Sequence, residues 1–425
     1  MENSLSKLLD DMNDKKVLIV GDLMLDKFIW GDISRVSAES PVPIIKVERV
    51  TYNSGGSGNT ANNIVSLGGK VIVVGIIGND AEGEILLKEL KNKNVDCDGI
   101  FIDKSKPTIQ KVRVMGQSQH LIRLDYEDDN YINGKIEIEI IKFIEDKICD
   151  ADIVIISDYI KGTITEQVAK ILVELANGHK KSIVVDTKPK HAHFYKNVTL
   201  VKPNLKEAIE MSGTDNLMEI GNKLKEFFNA NILVTKGKDG MSLFLKDGKY
   251  LEIPTKAREV YDVGGAGDTV IATLGLALGA NAMLEDAVNL ANIAAGIVVE
   301  KRGVVPIDRD ELRDHLKIPV YPKVWGEERW LANEDYCGKL LILKNGYRCS
   351  LHYHKNKDET FYIIKGKILL ELSGKKIIMG PGASQRIKPN EVHRFSGLED
   401  SEILEISTHH DENDSYRIEL SGKME

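Results

Sequence analysis

The sequence predicts an α/β domain with a mostly parallel sheet, followed by a smaller all-β domain. Over the first three hundred residues, short apolar runs alternate with amphipathic stretches, which is typical of a parallel sheet covered by helices on both faces. Two prolines within residues 318–322 mark a linker. After the linker, short strand-like runs are separated by glycine turns, as in a β-sandwich or β-barrel of ordinary domain size.

The strand-like runs of the first part share a buried, β-branched character. They lie at 15–22, 71–75, 153–157, 182–186, 200–202 and 232–235. Helix-like stretches lie between several of them, for example at 81–93 and 166–177. Ligands bind at the carboxyl ends of the strands in such sheets, so polar residues that follow the runs are expected to cluster at one edge. These residues are Asp22, Asp26, Asp158, Asp186 and Asn204.

Two segments break this alternation. Residues 30–50 and 108–125 alternate between apolar and polar side chains with period two, which predicts β-strands outside the main sheet. Together they are expected to form a small β lid that covers a substrate. A lid with one apolar face favours pairing of two copies, so we expect a homodimer.

The composition limits the class of protein. The chain has 425 residues, of which 42% are hydrophobic and 29% charged, so a large soluble core is possible. A net charge of −8 argues against nucleic-acid and membrane partners. The cysteines have no paired spacing, no apolar run approaches the roughly 20 residues of a membrane helix, and the N-terminus does not resemble a signal peptide. We therefore expect a cytoplasmic protein.

The most informative stretch is 261–270, where three glycines and an alanine lie between two aspartates. A small-residue apolar run, 270–278, follows it. The pattern predicts a glycine-rich turn at the start of a buried helix, where backbone N–H groups and the helix dipole suit a phosphate. Asp268 lies where turn becomes helix, so its carboxylate is a candidate proton acceptor for a hydroxyl. The alternative is a glycine cluster that only connects a strand to a helix.

A second glycine-rich stretch, 53–63, contains Gly55, Gly56 and Asn59. Glycine allows the backbone to approach a polar ligand closely, and asparagine both donates and accepts hydrogen bonds, which suits sugar hydroxyls. Taken alone, the stretch fits a flexible loop with an asparagine helix cap, which is the simpler interpretation.

These two stretches carry a family resemblance. Residues 15–307 resemble the ribokinase-like (PfkB) carbohydrate kinases, because 55–59 is similar to the family's N-terminal glycine motif and 262–269 to its C-terminal signature. The two motifs in this order are more specific than either alone. Residues 21–43 resemble the heptose 7-phosphate kinase subgroup. That subgroup phosphorylates the anomeric hydroxyl of a seven-carbon sugar phosphate for surface-glycan precursors of the lipopolysaccharide or S-layer type.

The resemblance implies phosphoryl transfer from ATP with Mg²⁺. Asp268 would be the base, and the amides of Gly265, Ala266 and Gly267 would stabilise the transferring group. The implied sugar-binding residues are Asp26, Gly55, Gly56 and Asn59. Candidates for the substrate's own phosphate, each of which could also be a plain surface charge, are Lys111, Arg113, Arg123 and Lys161. The implied nucleotide-binding residues are Asn204 and Glu207, which would help to hold Mg²⁺ partly through water, with Thr235, Gly237, Gly240 and Asn292.

Two departures limit the resemblance. The family often has threonine where this chain has Gly264, which bears on nucleotide or monovalent-cation binding nearby. Bifunctional heptose kinases also carry a nucleotidyltransferase domain with a His-x-Gly-His motif, which this sequence lacks. We therefore do not expect this chain to make the nucleotide sugar itself.

The C-terminal part has its own cluster of metal-ligating residue types. The pattern His352-Tyr353-His354 followed by Glu359 and flanked by glycines matches the first cupin motif. Alternation places His352 and His354 on one strand face, and Glu359 and His393 can complete the set. Three imidazoles and one carboxylate suit a divalent transition metal with open positions. The alternative is a set of unrelated surface histidines.

The cupin segment is similar to the mannose-6-phosphate isomerase-like group at 325–326 and 411–419, although that group usually has glutamine where His352 stands. We predict a kinase domain at 1–318 and a cupin domain at 319–425. The main hypothesis is a sugar-phosphate kinase with an appended metal-binding cupin. The alternatives are that the cupin is a sugar-phosphate isomerase or epimerase, or that it is a regulatory sugar-binding module.

Overall fold

A computed structural model of the chain describes residues 2–116, 119–255, 261–301 and 303–424. The chain divides into two compact units, Asn3–Leu316 and Lys317–Glu425. This division lies next to the predicted linker, and the boundary at residues 318 and 319 stays a prediction. Within the described ranges, no helix combines the length and the apolar character needed to cross a membrane.

The first unit alternates helices and strands along most of its length. Its helices are α1 (Glu2–Asp11), α2 (Ser57–Ser66), α3 (Ala81–Asn92), α4 (Gly134–Lys147), α5 (Glu166–Gly178), α6 (Leu205–Ser212), α7 (Leu217–Phe228), α8 (Ala266–Gly279), α9 (Leu284–Val299) and α10 (Arg309–His315). Its strands are β1 (Lys16–Gly21), β2 (Leu23–Val36), β3 (Pro43–Gly56), β4 (Lys70–Gly78), β5 (Asp96–Asp103), β6 (Gln110–Gly116), β7 (Gln119–Tyr126), β8 (Ile153–Ser157), β9 (Ser182–Asp186), β10 (Leu200–Val201), β11 (Asn231–Thr235), β12 (Met241–Phe244) and β13 (Tyr250–Ile253).

Nine of these strands form one sheet in the order β13-β12-β11-β10-β9-β8-β1-β4-β5. The strands from β11 to β5 pair in parallel, whereas β12 and β13 add an antiparallel edge that the sequence analysis did not predict. Side chains of β1 alternate between two cores: Val17 and Ile19 face one, and Leu18 and Val20 face the other. Helices cover both faces, which confirms the predicted α/β fold.

Helix α8 packs under the centre of the sheet, against β8 and β9. A Cβ atom at Gly275 would lie 2.4 Å from Cδ1 of Ile155, so glycine permits this close approach. A Cβ atom at Gly279, the last residue of α8, would lie 3.2 Å from Cγ2 of Ile153, the first residue of β8. The helix therefore runs antiparallel to this strand, and its first turn lies near the carboxyl edge. Packing therefore brings Asp268 to the edge where ligands bind in such folds.

A separate four-stranded sheet has the order β3-β2-β6-β7. Strands β2 and β3 form a long antiparallel pair, and β6 pairs in parallel with β2. These strands cover the two segments that the period-two pattern predicted to lie outside the main sheet. The sheet exposes several large apolar side chains, and its roles as a lid and as a dimer surface stay predictions. They include Val36, Val47, Val50, Ile122 and Leu124.

The second unit is all β within the described residues, apart from one 3₁₀ turn at Glu412–Asp414. Its strands are β14 (Val320–Lys323), β15 (Gly326–Asn333), β16 (Tyr336–Leu343), β17 (Tyr347–Arg348), β18 (Leu351–Tyr353), β19 (Glu359–Lys365), β20 (Ile368–Leu372), β21 (Lys375–Met379), β22 (Ser384–Ile387), β23 (His393–Gly397), β24 (Ser401–Thr408), β25 (Tyr416–Glu419) and β26 (Gly422–Lys423).

These strands form two sheets around one apolar core. One sheet has the order β14-β15-β16-β24-β19-β22. The other has the order β21-β20-β23-β17-β26, and β18 joins it by pairing with β23 and β25. Trp325, Phe361 and Phe395 lie in the core between the sheets, with the rings of Trp325 and Phe395 packed edge to face at 5.1 Å. The prediction of an all-β second domain is confirmed.

Candidate functional site

The glycine-rich turn ends at Gly265, and helix α8 begins at the next residue. Gly265 has a φ of +78°, in the left-handed region that glycine adopts without strain. A Cβ atom at this position would also lie 2.8 Å from Nδ2 of Asn59. The turn therefore needs glycine both for its backbone conformation and for the close approach of α2. The predicted turn followed by a buried helix matches the structure.

Asp268 lies in the first turn of α8 and is only 7% exposed. Asn59 Nδ2 donates to its Oδ2 atom at 2.7 Å, and the Tyr159 hydroxyl donates to its Oδ1 atom at 2.7 Å. Burial raises the pKa of Asp268 to about 6, and the donors Asn59 and Tyr159 oppose that rise. A carboxylate with this pKa is ionised at neutral pH and can accept a proton readily.

The interpretation of 53–63 as a loop with an asparagine cap is wrong. Helix α2 begins at Ser57, its N-cap residue is Gly56, and no side chain caps it. Asn59 lies inside the first turn and donates across to Asp268, 209 residues away in sequence. The side chain therefore lies against Asp268, and only the packing of α2 against α8 decides this.

Asn63 fixes this packing and was missed by the sequence analysis. Its Oδ1 atom accepts from Thr269 Oγ1 and from the backbone N–H of Ile307, both at 3.0 Å. Its Nδ2 atom donates to the Asn59 carbonyl at 2.9 Å. The side chain thus joins α2, α8 and the chain after α9. The available sequence signal was its spacing of four residues from Asn59, which places both on one helix face.

Two lysines that follow strands of the main sheet were also missed. Lys202 follows β10, is buried, and pairs with buried Asp186 at 2.8 Å. A Cβ atom at Gly267 would lie 3.6 Å from Lys202 Nζ, so the ammonium group lies beside the turn. Lys188 follows β9 and pairs with Glu207 at 2.6 Å. Lys202 and Lys188 lie one and two residues after the ends of their strands, and this position was the signal that could have identified them.

Asn204 and Glu207, the predicted magnesium pair, form a capping box at the start of α6. Asn204 Oδ1 accepts from the Glu207 N–H, and Glu207 Oε2 accepts from the Asn204 N–H, both at 2.9 Å. Glu207 Oε1 accepts from Lys188. The structure thus gives both side chains a local role, and their part in holding a metal stays a prediction.

The predicted nucleotide turn lies at the end of β11, which finishes at Thr235. Gly237 and Gly240 both have positive φ, at 60° and 78°, and a Cβ atom at Gly240 would lie 2.1 Å from the Ile253 carbonyl oxygen. Asn292 lies on α9 and donates to the Pro254 carbonyl at 2.7 Å. The nucleotide-binding role of these residues stays a prediction.

Asp26, a predicted sugar ligand, lies on β2 and is 6% exposed. Arg113 forms an ion pair with its Oδ1 atom. A Cβ atom at Gly55 would lie 2.6 Å from Asp26 Oδ2, and Gly56 has a φ of +58°. The structure therefore brings Asp26, Gly55 and Gly56 together. Arg113 is paired with Asp26 and so already has a carboxylate partner.

The four predicted phosphate-binding cations are not equivalent. Arg123 binds Asp125 through two nitrogen–oxygen contacts of 2.9 Å. Lys161 lies 2.8 Å from carboxylate oxygens of Glu127 and Asp129. The Lys111 ammonium group lies 5.9 Å from the centre of the Tyr159 ring and has no ion pair within the described residues. Among these four cations, Lys111 is therefore the one without a carboxylate partner within the described residues, and it lies near Tyr159, which bonds Asp268.

In the second unit, the structure brings the predicted metal ligands together. Ligand nitrogens of His352, His354 and His393 lie within 4.8 Å of one another. His352 and His393 are direct cross-strand neighbours on β18 and β23, which places both on one face. Glu359 Oε1 lies 2.8 Å from His393 Nε2 and 3.7 Å from His354 Nε2.

Backbone carbonyls orient the three imidazoles. Nδ1 of His352 lies 2.8 Å from the Ser350 carbonyl, Nδ1 of His354 lies 2.8 Å from the Asp414 carbonyl, and Nδ1 of His393 lies 3.0 Å from the Glu391 carbonyl. In a neutral imidazole that donates from Nδ1–H, Nε2 is unprotonated. The three Nε2 lone pairs then face a common centre, as in protein metal sites.

The chemistry of the donor set fits a cation. Glu359 Oε1 and His393 Nε2 are buried, and neither has a well-directed hydrogen-bond partner. With only Nδ1 protonated, His393 presents a lone pair to the carboxylate, and a bound cation ligated by both atoms would satisfy these two buried acceptors. Burial, and next the neighbouring His393, lower the pKa of His352 to about 3, so this imidazole is neutral at physiological pH.

His352, His354 and Glu359 line a cavity of about 230 Å³. Its wall also contains Lys357, a buried residue whose ammonium group lies between Glu359 and Glu405. Arg417 lies directly opposite His352 on the neighbouring strand β25 and lines the same cavity. Neither Lys357 nor Arg417 was predicted, since nothing in their local spacing indicates a role.

Comparison with known proteins gives a different family match for each of the two units. Residues 14–310 match the model of the pfkB family carbohydrate kinases, and residues 339–424 match the model of the cupin domain. The chain is 38% identical over 349 residues to the bifunctional protein HldE of Desulfatibacillum aliphaticivorans, covering 79% of this chain and 71% of that protein. It is 37% identical over 380 residues to the bifunctional protein HldE of Helicobacter pylori strain 26695, covering 88% and 80%.

Solved structures share the fold. The Arabidopsis thaliana ribokinase complexed with ribose and ATP superposes with a TM-score of 0.56 at 20% identity, over 72% of this chain and all of that chain. Phosphofructokinase-2 from Escherichia coli, in complex with substrates and products, gives a TM-score of 0.60 at 18% identity, over 71% and 98%. The matched family model spans most of the first unit and includes the Asp268 site. This chain belongs to the pfkB family of carbohydrate kinases and carries a C-terminal cupin domain.

Proposed function

We propose that the kinase unit transfers the γ-phosphoryl group of ATP to a sugar phosphate. The proposed acceptor is D-glycero-D-manno-heptose 7-phosphate, and the proposed product is the 1,7-bisphosphate used in surface-glycan precursors. The observation that carries the proposal is the buried Asp268 carboxylate, held by two donors and with a pKa near 6. The similarity of residues 21–43 to heptose 7-phosphate kinases and the relatives named HldE support the choice of sugar.

In the proposed mechanism, the acceptor hydroxyl lies against Asp268 and gives its proton to that carboxylate as the oxygen attacks phosphorus. The amides of Gly265, Ala266 and Gly267 and the N-terminus of α8 stabilise charge on the transferring group. The Lys202 ammonium group adds positive charge beside the same turn. Phosphoryl transfer depends mainly on positioning and electrostatics, and these groups supply both to the transferring group.

Mg²⁺, when bound with ATP, neutralises phosphate charge. Direct coordination by Glu207 does not fit the arrangement of residues, because the Lys188 ammonium group already contacts its Oε1 atom. Lone pairs remain on Asn204 and Glu207 for contacts through metal-bound water. We therefore propose that this pair orients the hydration shell of the ion.

ADP release with a panel of matched sugars and sugar phosphates tests this proposal. We expect heptose 7-phosphate to give the highest kcat/KM. Lys111→Met should raise KM for the phosphorylated acceptor about 10-fold or more and leave KM for unphosphorylated sugars unchanged, because an ion pair with phosphate is lost. Lys46→Met, an exposed lysine in the same small sheet, is the matched control. A preference for unphosphorylated sugars would contradict the proposed substrate.

We further propose a cytoplasmic homodimer that pairs through the small sheet. The apolar side chains exposed on β3 and β7 support this arrangement, because such patches favour association. Sedimentation of the full chain tests it. A monomer at micromolar concentration would exclude a stable dimer.

We propose that the cupin unit binds one divalent transition metal through His352, His354, His393 and Glu359. Metal analysis of the purified full chain should give about one ion per chain, and His354→Ala should lose most of it, because one imidazole and the geometry of the set are removed. His409→Ala, an exposed histidine outside the cluster, should retain the metal. Equal metal content in the two variants would count against the site.

The cupin could act on a sugar phosphate, as an isomerase or epimerase of the mannose-6-phosphate isomerase-like type, or regulate the kinase by binding one. Arg417 beside His352 favours an anionic ligand in the cavity, because the described residues offer its guanidinium group no ion pair. Interconversion assays on the metal-loaded full chain distinguish the two roles. Product formation supports the enzyme, whereas a ligand-dependent change in kinase KM without product formation supports regulation.

A further inference from the structure

Tyr159 follows β8, a central strand of the main sheet, and its side chain points towards α8. The Tyr159 hydroxyl donates to Asp268 Oδ1 at 2.7 Å, while Asn59 donates to the other carboxylate oxygen. These two hydrogen bonds fix the orientation of the carboxylate plane of Asp268. Thr60 Oγ1 also lies 3.5 Å from Oδ1, so Oδ2 is the oxygen that keeps a lone pair for an acceptor hydroxyl.

The loop that carries Tyr159 is held by two buried carboxylates. Asp22 accepts from the backbone N–H groups of Tyr159 at 2.9 Å, Lys161 at 3.0 Å and Thr163 at 3.1 Å. Asp158 Oδ1 accepts from the N–H of Ile160 at 3.0 Å. Four backbone donors within five residues therefore meet buried carboxylate acceptors, so the loop has little freedom to move the Tyr159 side chain.

Ile160, directly after Tyr159, has a φ of +58°. This left-handed conformation is strained for a β-branched residue, and such strain persists only where the surroundings over-determine it. Asp22 and Asp158 provide those surroundings. A loop that merely connected two elements would not need this conformation, whereas a loop that must present the preceding side chain at one place can require it.

The surroundings of the phenol determine that Tyr159 is the donor in its hydrogen bond with Asp268. Burial, and next the charge of Asp268, raise the pKa of the Tyr159 hydroxyl well above its usual value. Ammonium groups of Lys188 and Lys111 lie 5.1 Å and 5.9 Å from the ring centre. The ammonium groups favour the phenolate, but burial and the Asp268 carboxylate outweigh them, so the phenol stays protonated and remains a donor to Asp268 throughout the physiological pH range.

We propose that Tyr159 is a positioning residue for the base, held against Asp268 by the strained loop 158–163. Its hydrogen bond orients the carboxylate towards the acceptor hydroxyl and favours the ionised form. This inference rests on the proposed role of Asp268 as the proton acceptor.

The test is the pH dependence of ATP-dependent sugar phosphorylation by the full-length Tyr159→Phe variant. Burial raises the pKa of Asp268, and the Tyr159 hydrogen bond opposes that rise. Without this donor the pKa rises further, so the acid limb of kcat/KM moves to higher pH. We expect kcat at pH 7 to fall about 10- to 100-fold, as for loss of a hydrogen bond to a charged group, with little change in KM for ATP. Tyr126→Phe, the same change at a half-exposed tyrosine on β7, should leave the acid limb unmoved.

A double-mutant cycle with Asp268→Asn separates the possible failures. If Tyr159 acts through Asp268, adding Tyr159→Phe to Asp268→Asn should cost no further activity. An equal loss at every pH, an additive double mutant, or faster turnover in Tyr159→Phe would each overturn the inference. Full activity in Asp268→Asn alone would instead overturn the proposed base.

Discussion

Asp268→Asn is expected to lower kcat by roughly 10²–10⁴-fold, the range for loss of a general base. Asparagine has nearly the same shape but cannot take the proton of the acceptor hydroxyl. Because Asn59 and Tyr159 hold the side chain in place, ATP and sugar binding should persist. Steady-state kinetics and calorimetric titration of both substrates check this result, and an active variant would contradict the proposed chemistry.

The same substitution should not destabilise the kinase unit at pH 8. Burial raises the folded-state pKa of Asp268 to about 6, above the unfolded value, so ionisation of this carboxylate lowers stability as the pH rises through that interval. A neutral amide avoids this cost. Thermal unfolding should therefore show an equal or higher midpoint for Asp268→Asn, and a large fall would indicate that the lost activity reflects misfolding.

Lys357→Met is expected to destabilise the cupin unit by about 3–5 kcal/mol, the range for removing one partner from a buried ion pair. The Lys357 ammonium group contacts Glu359 at 2.7 Å and also contacts Glu405. Its removal leaves two buried carboxylates without their shared cation. Denaturant unfolding with a chelator present, followed by the fluorescence of Trp325 and Trp330 in a Trp30→Phe background, measures the loss.

Two further variants test the cause of that loss. Lys376→Met is the same substitution at an exposed lysine on β21 and should change the free energy of unfolding by less than about 0.5 kcal/mol. Adding Glu405→Gln to Lys357→Met removes one of the uncompensated charges and should recover part of the stability. No recovery would indicate that lost packing, rather than buried charge, causes the effect.

The spacing of residues was sufficient to predict much of this protein. Alternating apolar and amphipathic segments predicted the parallel sheet, and the glycine turn before a buried helix predicted the position of Asp268. These features are local, because a turn conformation or a strand face depends on neighbouring residues. The cupin pattern was equally informative, since alternation along one strand already places His352 and His354 on the same face.

Tertiary packing decided what the spacing left open. Asn59 contacts Asp268 because α2 packs against α8, and Tyr159 reaches it from the end of β8. Arg123 and Lys161 resembled Lys111 in sequence, yet the fold gives the first two carboxylate partners and gives Lys111 none within the described residues. The type of a residue limits the contacts that its side chain can make. Its actual partner and its burial set its charge and role, and both depend on segments that lie far apart in the chain.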